Sequence, residues 1–203
     1  MTPHENYIQT VIDKALSFSN NYLLGLQEPI YFVPTNMIDI TKSSSEKDIV
    51  FWKAVKADIS ERRFREYENK IGYSLPDTYK DFLSYKYFIA LNFGHEAIFF
   101  RHTESWVEDY FDNILKAGIE NTLYEGLIPF ARDTDRGYFC FDTKKADADN
   151  EYKIAIYSPE FGATKYPSIK QQFTFIEFIR DLETRLDQWA QVTKASAQQK
   201  YLQ

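Results

Sequence analysis

The stretch Glu68-Asn69-Lys70-Ile71-Gly72-Tyr73-Ser74-Leu75-Pro76-Asp77-Thr78-Tyr79-Lys80-Asp81-Phe82-Leu83 decides how this chain is read. It predicts a helix end, a turn and a new helix start in quick succession. Phe64, Tyr67 and Ile71 share one helical face, and Gly72 offers the left-handed residue on which helices commonly stop. Pro76 suits the first position of the next helix, where its missing N–H costs nothing. Asp77 then complements the positive end of that helix. Tyr79, Phe82 and Leu83 carry the apolar face onward. Upstream, Asp58 and Glu61 have capping-box spacing, which predicts Asp58 as the N-cap of the first helix.

Toward the N-terminus, Tyr7, Ile8, Val11, Ile12, Ala15, Leu16, Tyr22 and Leu23 recur at helical spacing, with Gly25 as the expected stop. Pro29 and Pro34 bracket Ile30-Tyr31-Phe32-Val33, read as a short extended piece or edge strand. Residues 41–48 are a polar connector. Toward the C-terminus, Tyr85 to Leu91 is ambiguous between helix and strand, and Ala97–Phe100 reads as a strand. Thr103 is placed to cap a helix that buries Trp106, Val107, Tyr110, Phe111 and Ile114 and stops near Gly118. Strands follow at Leu127–Ala131 and Tyr138–Phe141, joined through Asp133 to Gly137, and a third at Tyr152–Tyr157. Phe175, Phe178, Ile179, Leu182, Leu186 and Trp189 predict a closing helix that frays into a polar tail. Segregated helices and strands with short turns predict an α+β domain, its central sheet mostly antiparallel and flanked by helices. The expected organisation is an N-terminal helical extension and connector over 1–45, the α+β domain over 46–192, and the tail over 193–203.

Of the 203 residues, 44% are hydrophobic and 17% aromatic, enough for a substantial core. No apolar run approaches the roughly 20 residues of a membrane helix. The first residues lack the basic start and apolar stretch of a secretory signal. A single cysteine, Cys140, forbids an internal disulfide and fits a reducing compartment. The expectation is a soluble cytoplasmic protein. Net charge is −6, and residues 103–151 hold 12 acids against 5 bases, so the rest of the chain is near neutral. A phosphate-binding surface requires the opposite sign, which argues against nucleic acid as a partner and permits a basic protein.

Candidate chemistry is sparse. His4, His95 and His102 do not suggest a converging metal set, and they read as incidental surface histidines. Asp133-Thr134-Asp135 resembles the opening of a calcium loop, but the glycine falls one position early and Lys144 occupies the place of the bidentate Glu. Cys140 lies within Phe139-Cys140-Phe141, where a buried thiol is the ordinary outcome. There is no nucleophile elbow, phosphate loop or dinucleotide fingerprint. No cofactor, metal or catalytic residue is expected. Arg62, Arg63 and Arg65 interleave with Glu61, Glu66 and Glu68 as a salt-bridged helix face. The physical anomaly is Glu104, Glu108 and Asp112. At four-residue spacing they form an acidic stripe that costs an isolated helix roughly 0.2–0.5 kcal/mol per pair. Proximity to the helix N-terminus offsets this for the first two.

The blocks Glu68-x-x-Ile71-Gly72-x-x-Leu75-Pro76-x-x-Tyr79-x-x-Phe82-Leu83, Gly126–Asp133 with Gly137–Asp142, and Phe175-x-x-Phe178-Ile179-x-x-Leu182 together resemble the SUKH superfamily over about 58–183. The resemblance implies an α+β fold and function by binding. Bacterial members are typically immunity proteins that neutralise toxin domains, many of them nucleases, and fungal members include a regulator of cell-wall synthesis. The family's usual Asn-Gly-Gly has no counterpart soon after the Leu-Pro helix, and residues 1–45 lie outside the resemblance. The resulting expectation is a non-enzymatic immunity protein that occludes a basic toxin domain. Its partner-binding residues would be Glu104, Glu108, Asp112, Asp133, Asp135, Asp142, Asp147 and Asp149, converging on one anionic surface. A regulatory adaptor is the alternative, and an enzyme acting on a small molecule ranks third.

Overall fold

The computed structural model describes residues 4–22, 26–43, 48–94, 96–117, 119–133, 135, 137–146, 151–160, 162–163 and 173–200. Gly25 and Gly118, read above as helix stops, lie outside the described residues, as do His95, Asp147 and Asp149.

The chain opens with α1 (Glu5–Tyr22) and the short strand β1 (Gln27–Pro29), which pairs antiparallel with β2 (Ile49–Phe51). A second two-stranded ribbon joins β3 (Val55–Lys56) to β4 (Lys86–Tyr87), on either side of α2 (Glu61–Ile71) and α3 (Asp77–Tyr85). Then come β5 (Leu91–Phe93), β6 (Ala97–Phe99), α4 (Trp106–Asp109), α5 (Asn121–Tyr124), β7 (Leu127–Asp133), β8 (Gly137–Ala146), β9 (Tyr152–Ser158), β10 (Gly162–Ala163) and α6 (Phe175–Lys200). Strands β5 to β10 form one antiparallel meander in sequence order. The fold is α+β, and the ambiguous 85–91 stretch divides into the end of α3, the ribbon strand and the entry to the sheet.

The meander buries both faces. Phe139 and Phe141 of β8 meet α6 through Phe178 (ring centroids 4.8 Å) and Phe175 (5.8 Å). The intervening Cys140 is fully buried on the other face. There Tyr138 and Phe100 lie 6.1 Å apart, and Phe100 reaches Tyr110 at 6.4 Å. A register shift between Pro129 and Ala131 inserts Phe130 into the aromatic seam, 4.4 Å from Phe141. A bulge at this point suits a proline, which has no N–H to give the ladder. Helix α1 joins the same core through Ile8, Val11, Ile12 and Ala15. It is tied to α6 by Tyr7 Oη–H donating to Glu183 (2.6 Å) and by Lys14 bridging Glu183 (3.0 Å) and Asp187 (2.7 Å).

Gly72 adopts φ +80° and its N–H donates to Glu68 O, so α2 ends as its sequence requires. Glu68 does a second job: its carboxylate accepts the Leu75 N–H (2.8 Å) and pairs with Lys80 (2.9 Å), clamping the turn between α2 and α3. Pro76 sits one residue ahead of α3, and the N-terminal donors of that helix, which lack intrahelical partners, are met from far along the chain. Glu151 accepts both Thr78 N–H (3.1 Å) and Thr78 Oγ1–H (2.7 Å).

Four local expectations are corrected. Ser60, not Asp58, precedes α2, and its carbonyl accepts Arg63 N–H (2.8 Å); Asp58 lies in the chain leaving β3, where its own carbonyl takes Tyr87 Oη–H (3.3 Å). Ile30–Phe32 is a 3₁₀ turn closed by Val33 N–H to Ile30 O (3.2 Å), because the strand pairing is made by β1 just before it. The segment after Thr103 is no uniform α-helix. Ser105 precedes α4, which widens into a π-helical turn at Tyr110–Ile114 and tightens to 3₁₀ at Leu115–Ala117. Finally, α6 remains helical through Lys200, beyond the last apolar repeat.

Replacing Glu68 by alanine leaves the Leu75 N–H without its acceptor. Glu68→Ala is expected to lose about 1–3 kcal/mol of stability in urea denaturation, whereas Glu66→Ala on α2 is expected to leave the denaturation midpoint nearly unchanged.

Candidate protein-binding surface

The acids of the central segment divide by burial. Glu104, Glu108 and Asp112 are exposed. Glu104 precedes the first helical turn, Glu108 lies within α4, and Asp112 lies within the π-helical turn that follows it. Their like-charge repulsion is relieved by bases the segment itself does not fully supply. Arg63 of α2 pairs with Glu108 and with Glu66 (2.8 Å), and Lys116 pairs with Asp112 (2.7 Å). These cations hold the Glu108 and Asp112 carboxyls below the usual carboxylate range, and hydrogen bonding to Glu108 pushes the Arg63 guanidinium up. The Glu104 carboxylate accepts a long hydrogen bond from Asn36 Nδ2–H (3.4 Å), and its backbone carbonyl accepts one from Arg63 Nη2–H (3.4 Å).

Asp133 and Asp142 are buried. Asp133 Oδ1 accepts Asp135 N–H (2.9 Å) and shapes the hairpin turn. Asp142 Oδ1 accepts Lys144 N–H (3.1 Å), while Oδ2 pairs with Lys145 (3.1 Å) where β8 departs from regular pairing. Asp133 pairs with Gly137 and Asp142 with Leu127, so the two stand at opposite ends of the β7–β8 hairpin, about 17 Å apart along the strand. The structure does not bring them together. Asp135 is exposed at the turn. Two further exposed acids, Glu120 and Glu125, flank α5, and between them Tyr124 is 88% exposed. Sequence spacing gave no reason to single out these three, since a lone aromatic in a short helix reads as core.

A cleft of about 350 Å³ separates the acidic segment from the N-terminal half, lined by Lys56, Asp58, Ser60, Arg63, Tyr87, Glu104 and Trp106. Both charge signs face it, so it offers no net field for an ionic ligand. Among the described residues, no group of three or more His, Cys, Asp or Glu side chains is arranged to hold a metal ion. No helix among them is long and apolar enough to cross a membrane. The Cys140 thiol is fully buried, and burial pushes it well above its ordinary range, away from the reactive thiolate.

A family model described as "SMI1-KNR4 cell-wall" (SUKH_6) matches residues 61–179, more than half of the chain. The chain belongs to this SUKH family. No curated protein matches it. The matched span begins at α2 and ends within α6, so the clamped α2–α3 turn, the sheet and the acidic segment are parts of the SUKH domain. The family includes immunity proteins. Helix α1, β1, β2 and the turns between them lie before the match.

His102 is a correction to the sequence reading. It is buried between Tyr87, Phe88 and Trp106, and its Nε2–H donates to Leu83 O at the end of α3 (2.7 Å). A carbonyl only accepts, so this bond fixes the neutral Nε2–H tautomer. Burial pushes the imidazole down to about 4 from its ordinary 6.5. The unfolded chain takes up a proton that the folded chain refuses in that interval. Stability is therefore full above pH 6.5 and falls as pH drops toward 4, by about 3 kcal/mol for this group. Denaturation at a series of pH values is expected to show His102→Gln losing less than the parent over the same interval. Separately, Arg63→Met is expected to raise the Glu108 titration midpoint, read by NMR, toward the ordinary carboxylate value. Because the pair is largely exposed, that change costs less than about 1 kcal/mol of stability.

Proposed function

We propose that this SUKH-family chain is a non-enzymatic cytoplasmic immunity protein that binds a cognate bacterial toxin domain and covers its active site. The observation that carries this reading is a family scaffold bearing exposed carboxylates on the 104–125 segment that make no side-chain ion pair among the described residues: Glu104, Glu120 and Glu125, with the exposed Tyr124 beside Glu125. Family membership supports a protein partner, and the sign of the segment supports a basic one. A nuclease fits this description, because its substrate groove is cationic and carboxylates can occupy it in place of phosphates.

Within this reading, Glu108 and Asp112 contribute less field than Glu104, because Arg63 and Lys116 neutralise them in the free protein. Asp135 adds charge at the hairpin turn, and Asp133 and Asp142 support the loops that carry it. Asp147 and Asp149 lie outside the described residues. The residues before the family match lie outside the span that family membership covers. The description of the family as a cell-wall one favours a second reading, a regulatory adaptor acting on endogenous proteins.

The test is co-expression with the toxin domain encoded beside the gene, with association rates measured by stopped flow. Glu104→Lys combined with Glu120→Lys and Glu125→Lys is expected to lower the association rate by about tenfold or more, and to flatten its dependence on salt. Toxicity suppressed equally by parent and variant, with equal rates, would remove the electrostatic mechanism. No binding to any toxin, with capture of housekeeping proteins instead, would favour the adaptor.

A further inference from the structure

Outside the family match the chain exposes an apolar knob. Ile30 (46% exposed), Tyr31 (78%) and Phe32 (47%) occupy the 3₁₀ turn after β1, and Ile49 (53%) begins β2. They form one patch. Pro29 pairs in register with Ile49, Ile30 N–H donates to Asp48 O (2.7 Å), and the Tyr31 and Phe32 rings lie 4.6 Å apart. The backbone beneath is well braced. Val33, Met37, Val50 and Trp52 are buried directly behind it, and Asp39 N–H donates to Phe51 O (2.8 Å). An aromatic pair held outward on a pinned turn meets the description of an interface anchor: large apolar area, with little side-chain entropy left to lose.

The surroundings say what it meets. Glu28 and the exposed Asp48 flank the knob, and neither makes an ion pair with a described residue. Asn36, in the next turn, hydrogen-bonds Glu104, so the knob borders the acidic segment of the domain. The four side chains offer about 400 Å², near half of the ~800 Å² that each partner contributes to a stable complex. That area does not suffice for a dimer of this chain. Pairing two copies would also bring together Glu28 and Asp48 of each on a chain whose net charge is −6. The same area serves well as the buried centre of a larger heterologous contact with a charged rim.

We propose that the Ile30-Tyr31-Phe32-Ile49 knob is the apolar anchor by which this chain inserts into a pocket, rimmed by basic side chains, on the toxin domain it binds. The proposal rests on the immunity reading above and deepens it: the acidic segment steers the encounter, and the knob sets the lifetime of the complex. Truncating an anchor acts on dissociation, whereas reversing a rim charge acts on association.

The experiment measures binding of the purified toxin domain encoded beside the gene to the full chain by surface plasmon resonance. Tyr31→Ala with Phe32→Ala is expected to raise Kd at least about 30-fold, almost wholly through faster dissociation. Asp48→Asn with Glu28→Gln is expected to slow association about two- to threefold. Val192→Ala, at an exposed apolar position on α6, is expected to leave both rates unchanged. Thermal melts establish that the knob variants remain folded, as exposed side chains should permit. If the parent binds and the surface-charge variants act while the double alanine variant stays within twofold of the parent, the anchor is overturned and the immunity reading stands. If the parent itself does not bind, both fall. Sedimentation of the chain alone decides the other occupant: a dimer that the double alanine variant dissolves would assign the knob to self-association and overturn the proposal.

Discussion

Seven phenylalanines from both ends of the domain meet in one seam, and the remaining architecture is arranged around it. Phe82 of α3 lies 4.6 Å from Phe99 of β6 and 5.4 Å from Phe175 of α6, and Phe130, Phe139, Phe141 and Phe178 complete the layer. All seven are less than 2% exposed. Interiors are packed at close to crystalline density, so rings of this size fix the spacing of the elements that carry them. That constraint explains why β7 tolerates a bulge at Phe130: the irregularity delivers a ring to the seam. It also explains why α3 and α6, far apart in sequence, lie on the same sheet face.

With the core fixed by aromatics, the carboxylates are free to serve different ends, and burial decides which. Glu68 and Glu151 point inward and accept backbone N–H groups that would otherwise be unmet at the turn before α3 and at its start. Asp133 and Asp142 do the same for loop backbone at opposite ends of a hairpin. Glu108 and Asp112 stay at the surface but are neutralised by Arg63 and Lys116. Glu104, Glu120 and Glu125 stay at the surface and make no side-chain ion pair among the described residues, although Arg63 reaches the Glu104 backbone carbonyl (3.4 Å). A count of acids over 103–151 treats these as equal, and physically they are three populations.

In the proposed complex the two parts of the surface would divide the labour of recognition. The SUKH scaffold would supply the charged segment, and the chain preceding it the apolar projection. Helix α1 is itself tied to the domain through Lys14 with Glu183 and Asp187 and through Asp13 with Lys86 (2.6 Å). A partner facing both would meet charge at long range and a rigid aromatic contact at short range. This combination suits a protein that must find its target quickly and hold it.

The sequence by itself determined the α+β class, the α2–turn–α3 unit, the three long strands, the closing helix and the burial of Cys140. Each of these rests on local periodicity or on a residue such as Gly72 whose backbone requirement is intrinsic. Tertiary structure alone decided the rest. The pairing of 27–29 with 49–51, the capping of Thr78 by Glu151, the burial of His102 against Leu83 and the neutralisation of Glu108 by Arg63 all join residues distant in the chain, and spacing carries no information about such meetings. For the same reason the outward aromatics at Tyr31, Phe32 and Tyr124 were invisible as surface. Apolar side chains read as core until the packed interior is seen to be complete without them.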